Sequence, residues 1–79
     1  MDMGALVGQN TVRLRRLRKL TQEQLAEEAG FSQQYISNLE LGRTNPTVKT
    51  LRALGDALGV TPADLVTPYR NRGKGGAKG

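Results

Sequence analysis

Residues 20–43 read LTQEQLAEEAGFSQQYISNLELGR, and this stretch decides the fold of the chain. Two short helical patterns meet at Gly30, because glycine adopts a left-handed turn conformation at little cost. Thr21 opens the first pattern, since a threonine followed three residues later by a glutamine, here Gln24, makes a capping box. Ser32 stands at the capping position before the second pattern. The stretch therefore predicts two short helices joined by a tight turn.

The apolar residues of this stretch are spaced to hold the two helices against each other. Six of them are predicted to face inward: Leu25, Ala26, Ala29, Phe31, Ile36 and Leu39. The same spacing turns four polar side chains outward from the second helix: Gln33, Gln34, Ser37 and Asn38. Side-chain amides donate and accept hydrogen bonds at once, which matches the adenine edge in the major groove of DNA. This outward face is a candidate base-reading surface, and a solvated helix face is the alternative.

The sequence on either side of the motif, which spans residues 22–41, predicts further helices. The first runs from about Met3 to Arg18 with Asp2 as its cap. Its apolar stripe consists of Leu6, Val7, Leu14 and Leu17. Leu20 follows and closes the helix over the core. A fourth helix begins after Thr47 and ends at Gly59. One of its sides presents Val48, Leu51, Leu54, Gly55 and Leu58.

A short fifth helix is predicted after Thr61, because residues 61–64 supply a cap, a first-turn proline and an acid in the first turn. It reaches Leu65 or Val66. Apolar periodicity is helical throughout, so the fold class is an all-α bundle of about five short helices. Residues 1–67 are predicted to form one domain, and residues 68–79 a disordered tail rich in glycine and basic residues.

The composition excludes most kinds of enzyme. A chain of 79 residues without cysteine or histidine has no disulfide framework, no thiolate zinc site and no imidazole for acid–base chemistry. We therefore expect no catalytic residue, metal or cofactor. The sequence also lacks a membrane-length apolar run and a secretory signal, so a cytoplasmic protein without a membrane partner is expected.

The net charge of +5 points to an anionic partner. Four of the twelve basic residues lie in the tail, however: Arg70, Arg72, Lys74 and Lys78. Without them, eight basic residues face seven acidic ones. The folded part is nearly neutral, so a prediction of DNA binding rests on where individual charges lie.

Together with PTVKTLRALGDALGV at residues 46–60, the opening stretch resembles the Cro/C1-type helix-turn-helix family, over about Val7 to Leu65. The resemblance implies a lambda-repressor-like fold. It also implies a transcription regulator that binds double-stranded DNA at a palindromic operator as a homodimer, with repression favoured over activation. The main alternative is an antitoxin that binds a toxin protein and regulates its own operon. An anti-repressor is a further possible protein partner.

The family pattern also implies residue roles. Base edges are expected to be read by Gln33, Gln34, Ser37 and Asn38. Phosphates are expected to be contacted by Gln22, Tyr35, Arg43, Thr44 and Asn45, and Gln22 is also expected to brace Gln33. Arg15 and Glu40 are expected to form a partly buried salt bridge between the first and third helices. The dimer interface is expected on the fifth helix, where Ala63, Leu65 and Val66 are partly exposed in a monomer.

Three positions depart from the family pattern. Lys19 stands where relatives usually have glycine, which predicts that the end of the first helix is either strained or differently placed. Thr11 replaces a usual aliphatic residue. Gly55 stands where alanine is frequent, and close packing of a neighbouring helix is expected to compensate for the cost of a helical glycine.

Overall fold

The computed structural model describes residues 2–69, which form five α-helices and no strand. These are α1 (Met3–Leu17), α2 (Gln22–Ala29), α3 (Gln33–Glu40), α4 (Val48–Leu58) and α5 (Pro62–Val66). The prediction of an all-α bundle of about five short helices is confirmed. Within the described part of the chain, no helix has the length and apolar character needed to cross a membrane.

Each helix begins directly after the residue predicted to cap it. The five caps accept a hydrogen bond from a backbone N–H in the first turn and are Asp2, Thr21, Ser32, Thr47 and Thr61. Thr21 and Thr61 form complete capping boxes, because the side chains of Gln24 and Asp64 bond back to the backbone of their caps. Isolated helices this short are marginal in water, so the caps define their ends while tertiary packing stabilises them.

The core lies where α1, α2, α3, α4 and α5 meet. Its buried apolar residues are Val7, Leu25, Ala26, Ile36, Leu39, Leu54, Leu58 and Leu65. Leu14, Leu20 and Leu51 are partly buried against this cluster, as predicted. Two predicted core residues are instead exposed, since Leu17 and Val48 each keep 69% of their surface accessible to solvent.

The exposure of these two residues follows from their places on the helices. Leu17 lies on the face of α1 that carries Gln9 and Val12 and turns away from the core. Val48 is the first residue of α4, one turn before Leu51, the first apolar side chain of that helix that packs against the core.

Two helical glycines mark the closest backbone approaches. A Cβ on Gly8 would lie 2.6 Å from the carbonyl oxygen of Leu39 and 2.8 Å from that of Glu40. A Cβ on Gly55 would lie 2.6 Å from the carbonyl oxygen of Val60. The close neighbour of Gly55 is therefore the connection between α4 and α5. The expectation that a neighbouring helix packs there is wrong. In both places a larger residue would push the backbone apart.

The end of α1 is strained as predicted, because Lys19 has a φ of 58°, in the left-handed region. Thr11, the other unusual residue of this part of the chain, is fully buried in α1. Its hydroxyl has no hydrogen-bond partner within residues 2–69. Both of these departures from the family pattern thus coincide with a local energetic cost.

The chain after α5 lies against α1. The side-chain amide of Asn10 donates to the carbonyl oxygens of Leu65 at 2.9 Å and Thr67 at 3.0 Å. The guanidinium carbon of Arg13 lies 4.0 Å from the centroid of the Tyr69 ring. The described chain therefore contacts α1 as far as Tyr69, two residues past the predicted domain boundary at residue 67. The rest of the predicted tail, residues 70–79 with its four basic side chains, lies outside the described residues.

Candidate nucleic-acid interface

The turn between α2 and α3 is built as the sequence predicts. Gly30 has a φ of 82°, and the backbone N–H groups of Gly30 and Phe31 both donate to the carbonyl oxygen of Ala26 at 2.9 Å. The Phe31 ring packs against Tyr35 with their centroids 4.9 Å apart. These contacts, with Ile36 fully buried beneath them, fix the direction in which α3 leaves the turn.

The outward face of α3 carries the four predicted base-reading side chains. Gln33 and Gln34 are exposed in the first turn, and Ser37 and Asn38 are partly buried one turn later. Within residues 2–69, none of these four side chains is engaged in a hydrogen bond. Their donors and acceptors are therefore available to a ligand, while the opposite face of the helix is held in the core.

The connection from α3 to α4 presents two exposed polar side chains. Gly42 turns the backbone with a φ of 78°, and Arg43 and Asn45 then lie exposed. The backbone N–H of Arg43 donates to the carbonyl oxygen of Asn38 at 3.0 Å, which fixes the connection to α3. Because the guanidinium group is exposed and always charged, Arg43 is available to an anionic partner.

Thr44 differs from its neighbours, because its hydroxyl is shielded from solvent and has no partner within residues 2–69. The loop lies close under the start of α1, where a Cβ on Gly4 would be 2.7 Å from the carbonyl oxygen of Thr44. In this conformation the Thr44 hydroxyl cannot reach a ligand, because α1 packs tightly on the loop. The predicted phosphate contact of Thr44 stays a prediction, made through its backbone N–H.

Arg15 and Glu40 form the salt bridge that the resemblance implies. Arg15 Nε donates to Glu40 Oε2 at 2.6 Å, and Arg15 Nη2 donates to Glu40 Oε1 at 3.1 Å. The side chains are only 12% and 4% exposed. Arg15 Nη1 also donates to the carbonyl oxygen of Leu20 at 2.9 Å. The pair therefore ties α1 to the last residue of α3.

Gln22 contacts a different residue from the one expected. Its Nε2 donates to Glu40 Oε1 at 2.8 Å. The expected brace to Gln33 is not among the hydrogen bonds of residues 2–69, and the bond to Glu40 takes one of the two N–H donors of the Gln22 amide. The physical reason is that an ionised carboxylate is a stronger acceptor than a neutral amide. Sequence reasoning missed this contact because the two residues lie 18 positions apart.

The predicted dimer surface on α5 is smaller than expected. Ala63 is exposed and Val66 partly buried, but Leu65 is completely buried in the core. The expectation that Leu65 is partly exposed in a monomer is wrong, because this five-residue helix anchors itself to the domain through that side chain. Ala63 and Val66 remain candidates for contact with a second copy.

Sequence reasoning also overlooked Asn10, which is 2% exposed. It lies between Val7 and Leu14 at helical spacing, so a signal was present in a polar residue within an apolar stripe. The described residues contain no group of histidine, cysteine or acidic side chains that could hold a metal ion.

Comparison with known proteins agrees with this geometry. The Helix-turn-helix family model HTH_3 matches residues 13–65. The HTH-type transcriptional regulator y4dJ of Sinorhizobium fredii is 60% identical over 68 residues, which cover 86% of this chain and 88% of the relative. The immunity repressor protein of Bacillus phage phi105 is 45% identical over 60 residues, covering 76% of this chain and 42% of the repressor.

A solved structure of SinR, a master regulator of biofilm formation, in complex with DNA superposes with a TM-score of 0.74. The sequence identity is 29%, and the match covers 77% of this chain and 98% of the SinR chain in that structure. These similarities give no support to the antitoxin alternative. The family match, the y4dJ identity and the turn at Gly30 agree: the chain belongs to the helix-turn-helix family of transcription regulators.

Proposed function

We propose that the chain represses transcription by reading double-stranded DNA with α3. The observation that carries this proposal is the two-sided character of that helix. Ile36 and Leu39 are buried, whereas Gln33 and Gln34 are exposed with free amides. The likeness to DNA-bound SinR and to a phage immunity repressor supports DNA as the ligand and repression as the outcome.

Direct base readout is assigned to the first turn of α3. In helix-turn-helix proteins the N-terminal residues of the second helix contact base edges in the major groove. A bidentate match between an amide side chain and adenine is worth about 1–3 kcal/mol of discrimination against a wrong base. We assign this contact to Gln33 and Gln34, with Ser37 and Asn38 adding contacts one turn further along.

Phosphate contacts hold the protein in register but carry no sequence information. We assign them to Arg43 and Asn45, which are exposed on the connection after Gly42. We also assign them to Tyr35 at the first turn of α3 and to Gln22, the first residue of α2. Tyr35 also packs on Phe31, so covering apolar surface is its alternative role. We propose that Thr44 contacts a phosphate through its backbone N–H, because its hydroxyl is buried.

We further propose that two copies bind together, since one α3 offers few base contacts. The outer side of α5, with Ala63 and Val66, supplies the apolar surface for a two-fold contact. The two half-sites are then about 34–36 Å apart, one turn of DNA. We also propose that the protein is cytoplasmic and catalyses no reaction. Repression is then controlled by the concentration of the protein or by a partner protein such as an anti-repressor.

Selection of binding sites from random duplex DNA with the purified chain tests this function. The expected result is an enriched palindrome with half-sites one helical turn apart, bound by two protomers. Absence of any enriched sequence would contradict DNA reading. An enriched site without two-fold symmetry, bound by one protomer, would contradict the dimer and leave readout by α3 in place.

A further inference from the structure

The start of α1 and the connection between α3 and α4 touch through their backbones. A Cβ on Gly4 would lie 2.7 Å from the carbonyl oxygen of Thr44 and 3.4 Å from that of Gly42. From the other side, a Cβ on Gly42 would lie 3.1 Å from the Cα of Ala5. Glycines stand on both sides of this contact, so the position of the connection depends directly on the backbone of α1.

The carbonyl group of Thr44 points towards α1. Its oxygen is the nearest atom to the place where a Cβ of Gly4 would stand, nearer than any other atom of the connection. Within residues 2–69 every peptide bond is trans, so the N–H of Asn45 lies on the opposite side of the same planar peptide group. That N–H therefore points away from α1.

An earlier peptide group of the connection has the same orientation but a different partner. The carbonyl oxygen of Gly42 also faces Gly4, and the N–H of Arg43 in that peptide group donates to the carbonyl oxygen of Asn38 at 3.0 Å. The N–H of Asn45, by contrast, is not among the hydrogen bonds of residues 2–69. Because Asn45 is exposed, a ligand can approach this donor.

We infer that the backbone N–H of Asn45 donates to a DNA phosphate and that Gly4 is the positioning residue for this donor. The inference rests on the proposed reading of DNA by α3, and it names the atom that makes the phosphate contact assigned to Asn45. Backbone N–H groups are frequent phosphate donors in complexes with DNA. A backbone donor cannot follow a phosphate by changing its rotamer, so its position must be set by whatever holds the backbone.

Glycine at position 4 is what allows this placement. With a Cβ there, the carbonyl oxygen of Thr44 would have to retreat by about 0.7 Å to reach ordinary van der Waals contact at 3.4 Å. The same displacement lengthens a hydrogen bond of about 2.9 Å to about 3.6 Å, a distance at which it is no longer a hydrogen bond. Gly4 thus acts on DNA through the peptide group between Thr44 and Asn45, without touching DNA itself.

The first test measures the affinity of Gly4→Ala for the site that the wild-type chain selects and for random duplex DNA. We expect both affinities to fall about tenfold, the effect of one hydrogen bond to a charged group, with the selected bases unchanged. Gly55→Ala is the matched control, because its Cβ would lie 2.6 Å from another carbonyl oxygen, that of Val60, beyond the other end of α4. The control is expected to lower the melting temperature and to leave both affinities of the folded protein unchanged. A folded Gly4→Ala variant with undiminished affinity, or an equal loss in Gly55→Ala, would overturn the inference.

A second variant tests the donor itself and does not depend on the folding of Gly4→Ala. A chain of 79 residues can be made by chemical synthesis with the amide N–H of Asn45 replaced by an ester oxygen, which removes the donor and keeps the side chain. We expect the same tenfold loss on both DNAs, and Gly4→Ala is expected to add no further loss in this background. Thermal melts establish that each variant is folded.

The outcomes separate this inference from the proposed function. An ester variant that keeps the affinity of the wild-type chain, or losses that are additive with Gly4→Ala, would reject only the roles of Asn45 and Gly4. A wild-type chain that binds no DNA would reject the proposed function itself.

Discussion

Helix α1 is joined to its neighbours in two chemically different ways. Towards its C-terminal end, Arg15 ties it to α3 through the buried carboxylate of Glu40. One and a half turns earlier, the neutral amide of Asn10 ties it to the end of α5 through the carbonyl oxygens of Leu65 and Thr67. The first junction supports the proposed DNA-reading helix and the second supports the proposed dimer helix. Because its groups are charged, the first junction costs more free energy to break than the second.

The largest loss of stability is expected at the charged junction, where Arg15 of α1 bonds to Glu40 of α3. Arg15→Ala or Glu40→Ala leaves a largely buried charge without its partner, which typically costs about 3–5 kcal/mol of unfolding free energy. Arg16→Ala, on the exposed next position, serves as the control and is expected to change stability by less than about 0.5 kcal/mol. Denaturant melts of both single variants and the double variant measure the effect. Strictly additive losses would show that the two side chains are not coupled.

A smaller loss of stability is expected at the neutral junction, where Asn10 of α1 bonds to the end of α5. Asn10→Ala removes the donors to Leu65 and Thr67 and leaves a buried carbonyl oxygen unpaired, at a cost of about 1–3 kcal/mol. Hydrogen exchange should show the greatest loss of protection in α5, because the two bonds from Asn10 are made to the carbonyl oxygens at its end. Gln9→Ala, at an exposed neighbouring position, is the control. Equal loss of protection across all five helices would mean that Asn10 does not hold α5 in particular.

Between the two junctions, Thr11 offers a gain in stability. Its buried hydroxyl has no partner within residues 2–69, so Thr11→Val replaces an unpaired polar group by a methyl group of similar size. We expect stabilisation by about 1 kcal/mol. Thr11→Ser keeps the hydroxyl but removes the methyl group and is expected to destabilise. A loss of stability in Thr11→Val would show that the hydroxyl is satisfied in solution.

The smallest effect is expected just beyond the charged junction, at Lys19. A left-handed conformation costs a residue other than glycine about 1–2 kcal/mol, and the greater freedom of glycine in the unfolded chain offsets part of this. Lys19→Gly is therefore expected to stabilise the protein by about 0.5 kcal/mol. Lys19→Ala removes the same side chain but retains the strain, so any gain there would point to the charge of Lys19 as the cause.

The two junctions also differ in how far the sequence could predict them. Caps and turns depend on residues three or four positions apart, so Thr21, Ser32 and Gly30 were identified from the sequence alone. The Arg15–Glu40 pair followed from the family resemblance. Asn10 bonds a residue 55 positions away, and no local pattern specifies such a partner.

Burial at the ends of helices was equally hard to predict. Leu17, Val48 and Leu65 all fit a helical apolar pattern, yet two are exposed and one is fully buried. Their environments depend on how the neighbouring helices pack and not on spacing within their own helix. The same reason explains why the burial of the Thr44 hydroxyl was not predicted.

The most direct test of the central claim, that α3 reads base sequence, is binding-site selection repeated with Gln33→Ala, Gln34→Ala and Arg43→Ala. All three changes are at exposed positions, so the folded state is expected to survive and thermal melts check it. Each glutamine variant is predicted to lose preference at one symmetric pair of base positions. Arg43→Ala is predicted to bind more weakly while selecting the same site. Unchanged base preferences in both glutamine variants would contradict readout by α3.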